Sequence, residues 1–155
     1  MKYEKYEELK VSTDALEYRF ISSGPKGEIQ KLVQFQLTDF PGIYNLSFGD
    51  LIGDGTIDDL TITNNKDRNK ILATIAFTIY QFTSEFPDSW VFFAGSTPQR
   101  TRLYRIAISL NFHELSIDFE IWGVLRDRKG YLTKQIFQKG MNYFGFLIKR
   151  KILTL

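Results

Sequence analysis

The stretch NNKDRNKILATIAFTIYQFTSEFPDSWVFFAGSTPQRTRLYR, residues 64–105, decides the fold. Asn64, Asn65 and Asp67 supply capping side chains, and Pro87 is a stop, so the pattern predicts a helix reaching about Glu85. Thr74, Thr78, Gln81 and Glu85 form a narrow polar stripe at helical spacing. Ile71, Leu72, Ile75, Ala76, Phe77, Ile79, Tyr80 and Phe82 cover the rest. A helix apolar over most of its circumference is packed on more than one side, so Ala73, Phe77 and Ile79 are expected to be almost fully buried. Residues 90–94, WVFFA, read as a short strand buried on both faces. Gly95-Ser96-Thr97-Pro98 then opens a second helix, with Thr97 as N-cap, Pro98 in the first turn and a core stripe of Leu103, Ile106, Ala107 and Leu110.

Outward from this centre the periodicity changes to two. Residues 17–22 and 28–37 alternate around the Ser23-Gly24-Pro25-Lys26-Gly27 turn, which predicts a hairpin. Ile29, Val33, Phe35 and Leu37 share one face of its second strand, with Gln30, Gln34 and Gln36 opposite. Residues 43–49 and 56–63 form a second hairpin around Gly53-Asp54-Gly55. Beyond the second helix, residues 111–117 lead to a strand at 118–125 with Phe119 and Ile121 inward, and residues 131–138 and 141–152 finish as strands. The expected fold is α+β: an antiparallel strand meander, a central buried helix, a buried strand, a second helix and terminal strands. Residues 1–14 are a polar lead-in, and residues 15–155 form a single domain.

Composition narrows the function classes. A chain of 155 residues with 43% hydrophobic and 25% charged residues fits one globular domain with a real core. No apolar run approaches the ~20 residues that span a bilayer, and the start MKYEKYEELK has no apolar secretory segment. With no cysteine, disulfides, thiolate metal sites and thiol catalysis are excluded, and the cytosol is the expected compartment. One histidine, His113, excludes a two-histidine metal site or a histidine relay within the chain. Residues 1–95 carry nine basic and fourteen acidic side chains, net −5; residues 96–155 carry eleven and four, net +7. That split suits self-association or an acidic partner. Aromatic residues, 14 Phe, 8 Tyr and 2 Trp, suffice for a core and a contact surface.

Four segments are candidates for chemistry. In GDLIGDGTIDD, Asp50, Asp54, Gly55, Ile57 and Asp58 fall on calcium-loop positions, but Ile52 stands where an oxygen ligand is required and Thr61 where a bidentate acid is usual. The segment therefore reads as a soluble hairpin, and no metal is expected. Adjacent Asp58 and Asp59 point to opposite faces of a strand and cannot act as an acid–base pair. His113, beside Glu114, reads as a solvated loop residue. In GSTPQRTRLYR, a strand entering a helix presents backbone N–H groups at the positive dipole end. Ser96 and Thr97 add hydroxyls there, and Arg100 and Arg102 add charge, the parts of a phosphate or carboxylate site. The alternative is an ordinary cap beside a solvated face, on which Arg102 and Arg105 sit. The tail YFGFLIKRK interleaves rings with Lys149, Arg150 and Lys151, which suits either base stacking or a core strand with a basic end. Neither a Walker loop nor a dinucleotide fingerprint is present, so no cofactor is expected.

Taken together, NLSFGDL, the IDD before TITNN, ILATIAFTIYQF, FAGSTPQRTRLYR, DFEIWGV and KGMNYFGFLIKRK resemble an uncharacterised family of small intracellular proteins common in Bacteroidota, over residues 17–151. The resemblance implies a bacterial protein and carries no activity or catalytic residue. The order of elements is also similar to the acetyltransferases of the GNAT type, but TITNNKDRNK has no glycine where that fold binds pyrophosphate. The functional expectation is a cytoplasmic binding protein, with no catalytic constellation assembled by the sequence. It would take a phosphate-bearing ligand or nucleic acid at Ser96, Thr97, Arg100 and Arg102. The alternative is a homodimeric interaction or accessory module with no small ligand.

Overall fold

The computed structural model describes residues 3–53, 55–58 and 64–152. Its strands are β1 (Lys10–Val11), β2 (Glu17–Gly24), β3 (Gly27–Leu37), β4 (Ile43–Leu51), β5 (Ile57–Asp58), β6 (Trp90–Phe93), β7 (Phe119–Arg126), β8 (Leu132–Ile136) and β9 (Gly145–Arg150). They join in one sheet ordered β1-β2-β3-β4-β6-β9-β7-β8, with β5 paired to β4. Every pairing is antiparallel except β4 with β6. The helices are α1 (Arg68–Glu85), α2 (Pro98–Leu110) and α3 (Phe112–Asp118). The fold is α+β in a single domain. The expected hairpins are β2–β3 and β4–β5; the strand expected over 56–63 is present at Ile57–Asp58, and residues 59–63 lie outside the described residues.

All three helices lie on one face of the sheet. Ile75, Ile79 and Phe82 of α1, Ile108 of α2 and partly buried Leu115 of α3 pack with Val33, Phe35, Val91, Phe93, Phe119, Ile121 and Ile148. Phe82 is the centre, stacked on Phe35 with ring centroids 4.1 Å apart. The polar stripe of α1 divides. Gln81 and Glu85 are exposed, whereas Thr74 and Thr78 are fully buried. Their hydroxyls donate back to the Lys70 and Ile75 carbonyls at 2.7 and 2.6 Å, so burial leaves no hydroxyl unsatisfied. Phe77 is a correction: it is half-buried, with the Lys5 ammonium 4.6 Å from its ring centroid, while Ala73 and Ile79 are buried as expected.

Strand β6 sits between β4 and β9, yet only Val91 and Phe93 are deeply buried. Trp90 and Phe92 face the side without helices and keep partial exposure, which corrects the two-face burial read from the apolar run. The α2 stripe is also rotated from its expected phase. Arg100 and Ile108 are buried and Tyr104 packs on the core, while Ile106 and Leu110 are exposed. Residues 112–118 form α3 rather than a loop. The polar lead-in is tied down. The Tyr6 N–H donates to Thr74 Oγ1 at 2.9 Å, its ring stacks on Phe20, and β1 pairs with β2.

Candidate anion site

A cleft of about 880 Å³ opens on the helical side of the sheet, between β3–β4, the loop entering α1, and the first turns of α2. Each wall follows from a local sequence choice. On β3, Lys31 shares the inward parity of Val33 and Phe35 and is only 3% exposed. It forms an ion pair with Asp50, its Cα partner on β4. A charge buried this deeply needs such a partner, and the pair fixes both side chains in the cleft wall.

The loop before α1 is pinned to the β2–β3 hairpin by side chains that the sequence offers as caps. Asn65, 2% exposed, donates to Gly27 O at 2.8 Å and to Ser22 Oγ at 3.2 Å, and accepts from the Lys26 N–H at 2.7 Å. Asp67 stands at the N-cap position but makes no capping bond. Its carboxylate accepts instead from Ser22 Oγ at 2.5 Å and from the Tyr6 hydroxyl. Burial, reinforced by the bond to Asp67, raises the Tyr6 hydroxyl above its ordinary value. Lys66 takes a left-handed backbone, φ 59°, between these anchors, and Lys66, Arg68 and Lys70 line the cleft.

The opposite wall is the start of α2, where Thr97 is the N-cap as expected and accepts from the Arg100 N–H at 3.2 Å. The Gly95 N–H donates to Thr101 Oγ1 at 3.0 Å. A Cβ on Gly95 would lie 2.4 Å from that of Arg100, so this glycine lets the helix close on the strand end. Pro98 has no N–H. Among the described residues, Gln99 is therefore the first-turn position whose backbone donor has no acceptor. The Arg100 and Thr101 N–H groups are spent on Thr97, and what remains for a ligand is the Gln99 N–H and the guanidinium of Arg100.

Arg100 is 8% exposed, and its Nη1 donates to Ser96 Oγ at 3.3 Å. Among the described residues no carboxylate lies within ion-pair range of it. Among the described residues Trp122 Nε1 is the buried side-chain nitrogen without a partner, so the Arg100 donors that Ser96 does not take reach the solvent of the cleft, which this guanidinium lines. Arg102 is exposed and lies elsewhere, in a second groove of about 680 Å³ with Ser96, Thr97, Arg105 and Phe144. The four sequence candidates thus divide between two depressions. Arg105 is a correction to the solvated reading, because its Nη1 donates to Asn142 Oδ1 at 2.5 Å and to Met141 O at 3.2 Å.

The other candidates resolve as follows. Tyr143 and Phe146 are buried core residues, and Arg150 donates to Thr83 Oγ1 at 2.9 Å and Tyr80 O at 2.8 Å. His113 is exposed on α3. Asp54, Asp59 and Thr61 of the acidic segment lie outside the described residues, and among the described residues no three potential ligands cluster for a metal. Sequence reasoning missed Lys31. Its signal was present as parity: a lysine on the inward-facing row of an alternating strand.

The family described as "Family of unknown function (DUF6934)" matches residues 2–151. No curated protein and no solved structure matches the chain.

Proposed function

The chain belongs to DUF6934, a family of unknown function, and from its geometry we propose that it is a binding protein for a phosphate-bearing ligand, anchored by Arg100 in the cleft between α1 and α2. The observation that carries this reading is Arg100 itself: nearly buried, bonded to one serine oxygen, and without a carboxylate partner among the described residues. Lys66, Arg68 and Lys70 on the opposite wall add positive charge, and Phe48 and Tyr104 supply aromatic surface for an organic part. In this reading Ser96 and Thr97 are positioning residues: Ser96 holds the guanidinium, and Thr97 holds the turn that carries it. Arg102 contributes from the second groove only if the ligand is long. In the cleft wall Asp50 is paired with Lys31, and Asp67 accepts from Ser22 and Tyr6, which favours binding over catalysis as the reading. The absence of cysteine supports a cytosolic location as part of the same proposal.

Thermal unfolding in phosphate tests it, with sodium chloride of equal ionic strength as reference. A ligand that prefers the native state raises the melting temperature saturably. The rise is expected in wild type and in Arg102→Gln, and is expected to vanish in Arg100→Gln. Full retention of the rise in Arg100→Gln contradicts the assignment. A second reading, self-association, is favoured by Ile106 and Leu110, exposed one helical turn apart on α2, with Ile117 exposed on α3. A concentration-dependent mass in light scattering, lost in Leu110→Lys, is its signature.

A further inference from the structure

Both tryptophans of the chain stand on the sheet face that carries no helix. Trp90 of β6 and Trp122 of β7 are half-buried, and Lys134 of β8 reaches between them, its Nζ 4.7 Å from one ring centroid and 4.4 Å from the other. Lys149 of β9, the register partner of Trp90, lies 5.4 Å from the same indole. On the same face Phe92 stacks with Phe144 at 6.3 Å, and the Arg126 guanidinium lies 5.3 Å from the Phe144 ring. Gly145 makes room for this arrangement, since a Cβ there would meet the Phe92 ring at 2.7 Å. The indole Nε1 of Trp122 is buried with no acceptor among the described residues, so packing rather than hydrogen bonding holds that ring. Phe144 also lines the groove of Arg102, which joins the face to the start of α2.

We propose that this face binds single-stranded nucleic acid. Unstacked bases lie on the rings of Trp90, Trp122, Phe92 and Phe144, and Arg126, Lys134 and Lys149 neutralise the phosphates between them, with Arg102 extending the path. Stacking is open to every base because each has a π-face, and it is denied to a duplex, whose base faces are covered. Lys134, exposed and on a flexible stem, leaves the indoles for a phosphate when a base takes its place. The charge pattern selects this occupant over a protein, since the cores of protein interfaces are depleted of charge and here the cations sit among the rings. Glu120, opposite Lys149 in the register, is the acidic side chain of β7 on this face and lies at the Trp90 end of it. This surface is separate from the Arg100 cleft and does not depend on it.

Fluorescence anisotropy of labelled single strands of about twelve nucleotides, oligo(dT) and oligo(U), tests the proposal, with a duplex of equal length as control. The wild type is expected to bind the single strands with quenching of tryptophan emission and to bind the duplex more weakly. Affinity should fall as salt rises. Lys134→Glu, a change at an exposed side chain, should weaken binding about tenfold or more and flatten the log–log salt slope. Trp122→Leu should weaken binding at unchanged slope; where it impairs folding, Phe144→Ala at the exposed ring replaces it. Arg100→Gln should bind as wild type, which separates this surface from the cleft. Absence of binding at about 100 µM protein in low salt overturns the proposal, as does equal binding by wild type and Lys134→Glu, or duplex bound as tightly as single strands.

Discussion

Phe82 has no exposed surface, stacks on Phe35, and receives the Tyr44 ring edge-on at 5.0 Å. Phe82→Ala is therefore expected to destabilise the protein by about 3–5 kcal/mol in urea unfolding, and half-buried Phe77→Ala by clearly less. A larger loss at Phe77 would place the core on the wrong face of α1. Besides Tyr6, Tyr18 and Tyr80 make stability sensitive to alkali. Burial, with the Glu85 charge behind it, pushes the Tyr18 hydroxyl up to about 12, and burial together with Asp118 pushes Tyr80 up to about 12. Both titrate near 10.0 when unfolded, so between pH 10 and 12 the unfolded chain holds fewer protons than the native one. Stability present below pH 10 is thus lost as pH rises toward 12, with a slope of up to about 1.4 kcal/mol per pH unit for buried Tyr18 and less for Tyr80, whose partly exposed hydroxyl is screened by solvent. Tyr18→Phe should remove its share of that slope while leaving the curve below pH 9 parallel to wild type. An unchanged alkaline slope in Tyr18→Phe would count against the assignment.

At the scale of elements, close approaches and caps fix where β7 and α2 sit. A Cβ on Gly123 of β7 would lie 2.1 Å from the Tyr143 ring, whose hydroxyl receives the Gln138 N–H at 3.0 Å and the Gln135 amide at 2.8 Å. Gly123→Ala must displace that ring and break those bonds, so a loss of at least about 1–3 kcal/mol is expected in thermal or urea unfolding. Thr97→Ala removes a cap and should cost about 1 kcal/mol. The elements were legible in the sequence where one signal dominated: the period-two runs of β2, β3 and β4, the Pro87 stop, and the Thr97-Pro98 start. They were misread where a side chain serves two environments. Threonines counted as a polar stripe on α1 are buried because the helix's own carbonyls satisfy their hydroxyls. The phase of α2 was misjudged because an arginine, Arg100, leads its inward row, while Ile106 and Leu110 face out.

At the scale of the whole molecule, the sheet separates two surfaces of different chemistry. On the helical side is the Arg100 cleft; on the other, a row of rings and cations across β6, β9, β7 and β8. The α2 start and Arg100 were legible in the sequence as a candidate site, because Gly-Ser-Thr before a helix is a local signal. The sequence could not place Lys31 and Asp50 in the same cleft as Arg100, since that depends on strand order, nor separate Arg102 from Arg100, since that depends on which face of α2 meets the sheet. The cleft also joins the acidic and basic halves of the chain: Lys31, Asp50 and Arg68 come from residues 1–95, and Arg100 from the rest. Calorimetric titration of inorganic pyrophosphate into wild type, Arg100→Gln and Arg102→Gln tests whether Arg100 anchors a phosphate-bearing ligand. Saturable binding near one site per chain is expected in wild type and in Arg102→Gln, with its loss in a folded Arg100→Gln protein. Equal binding by wild type and Arg100→Gln, or none by wild type, would contradict it.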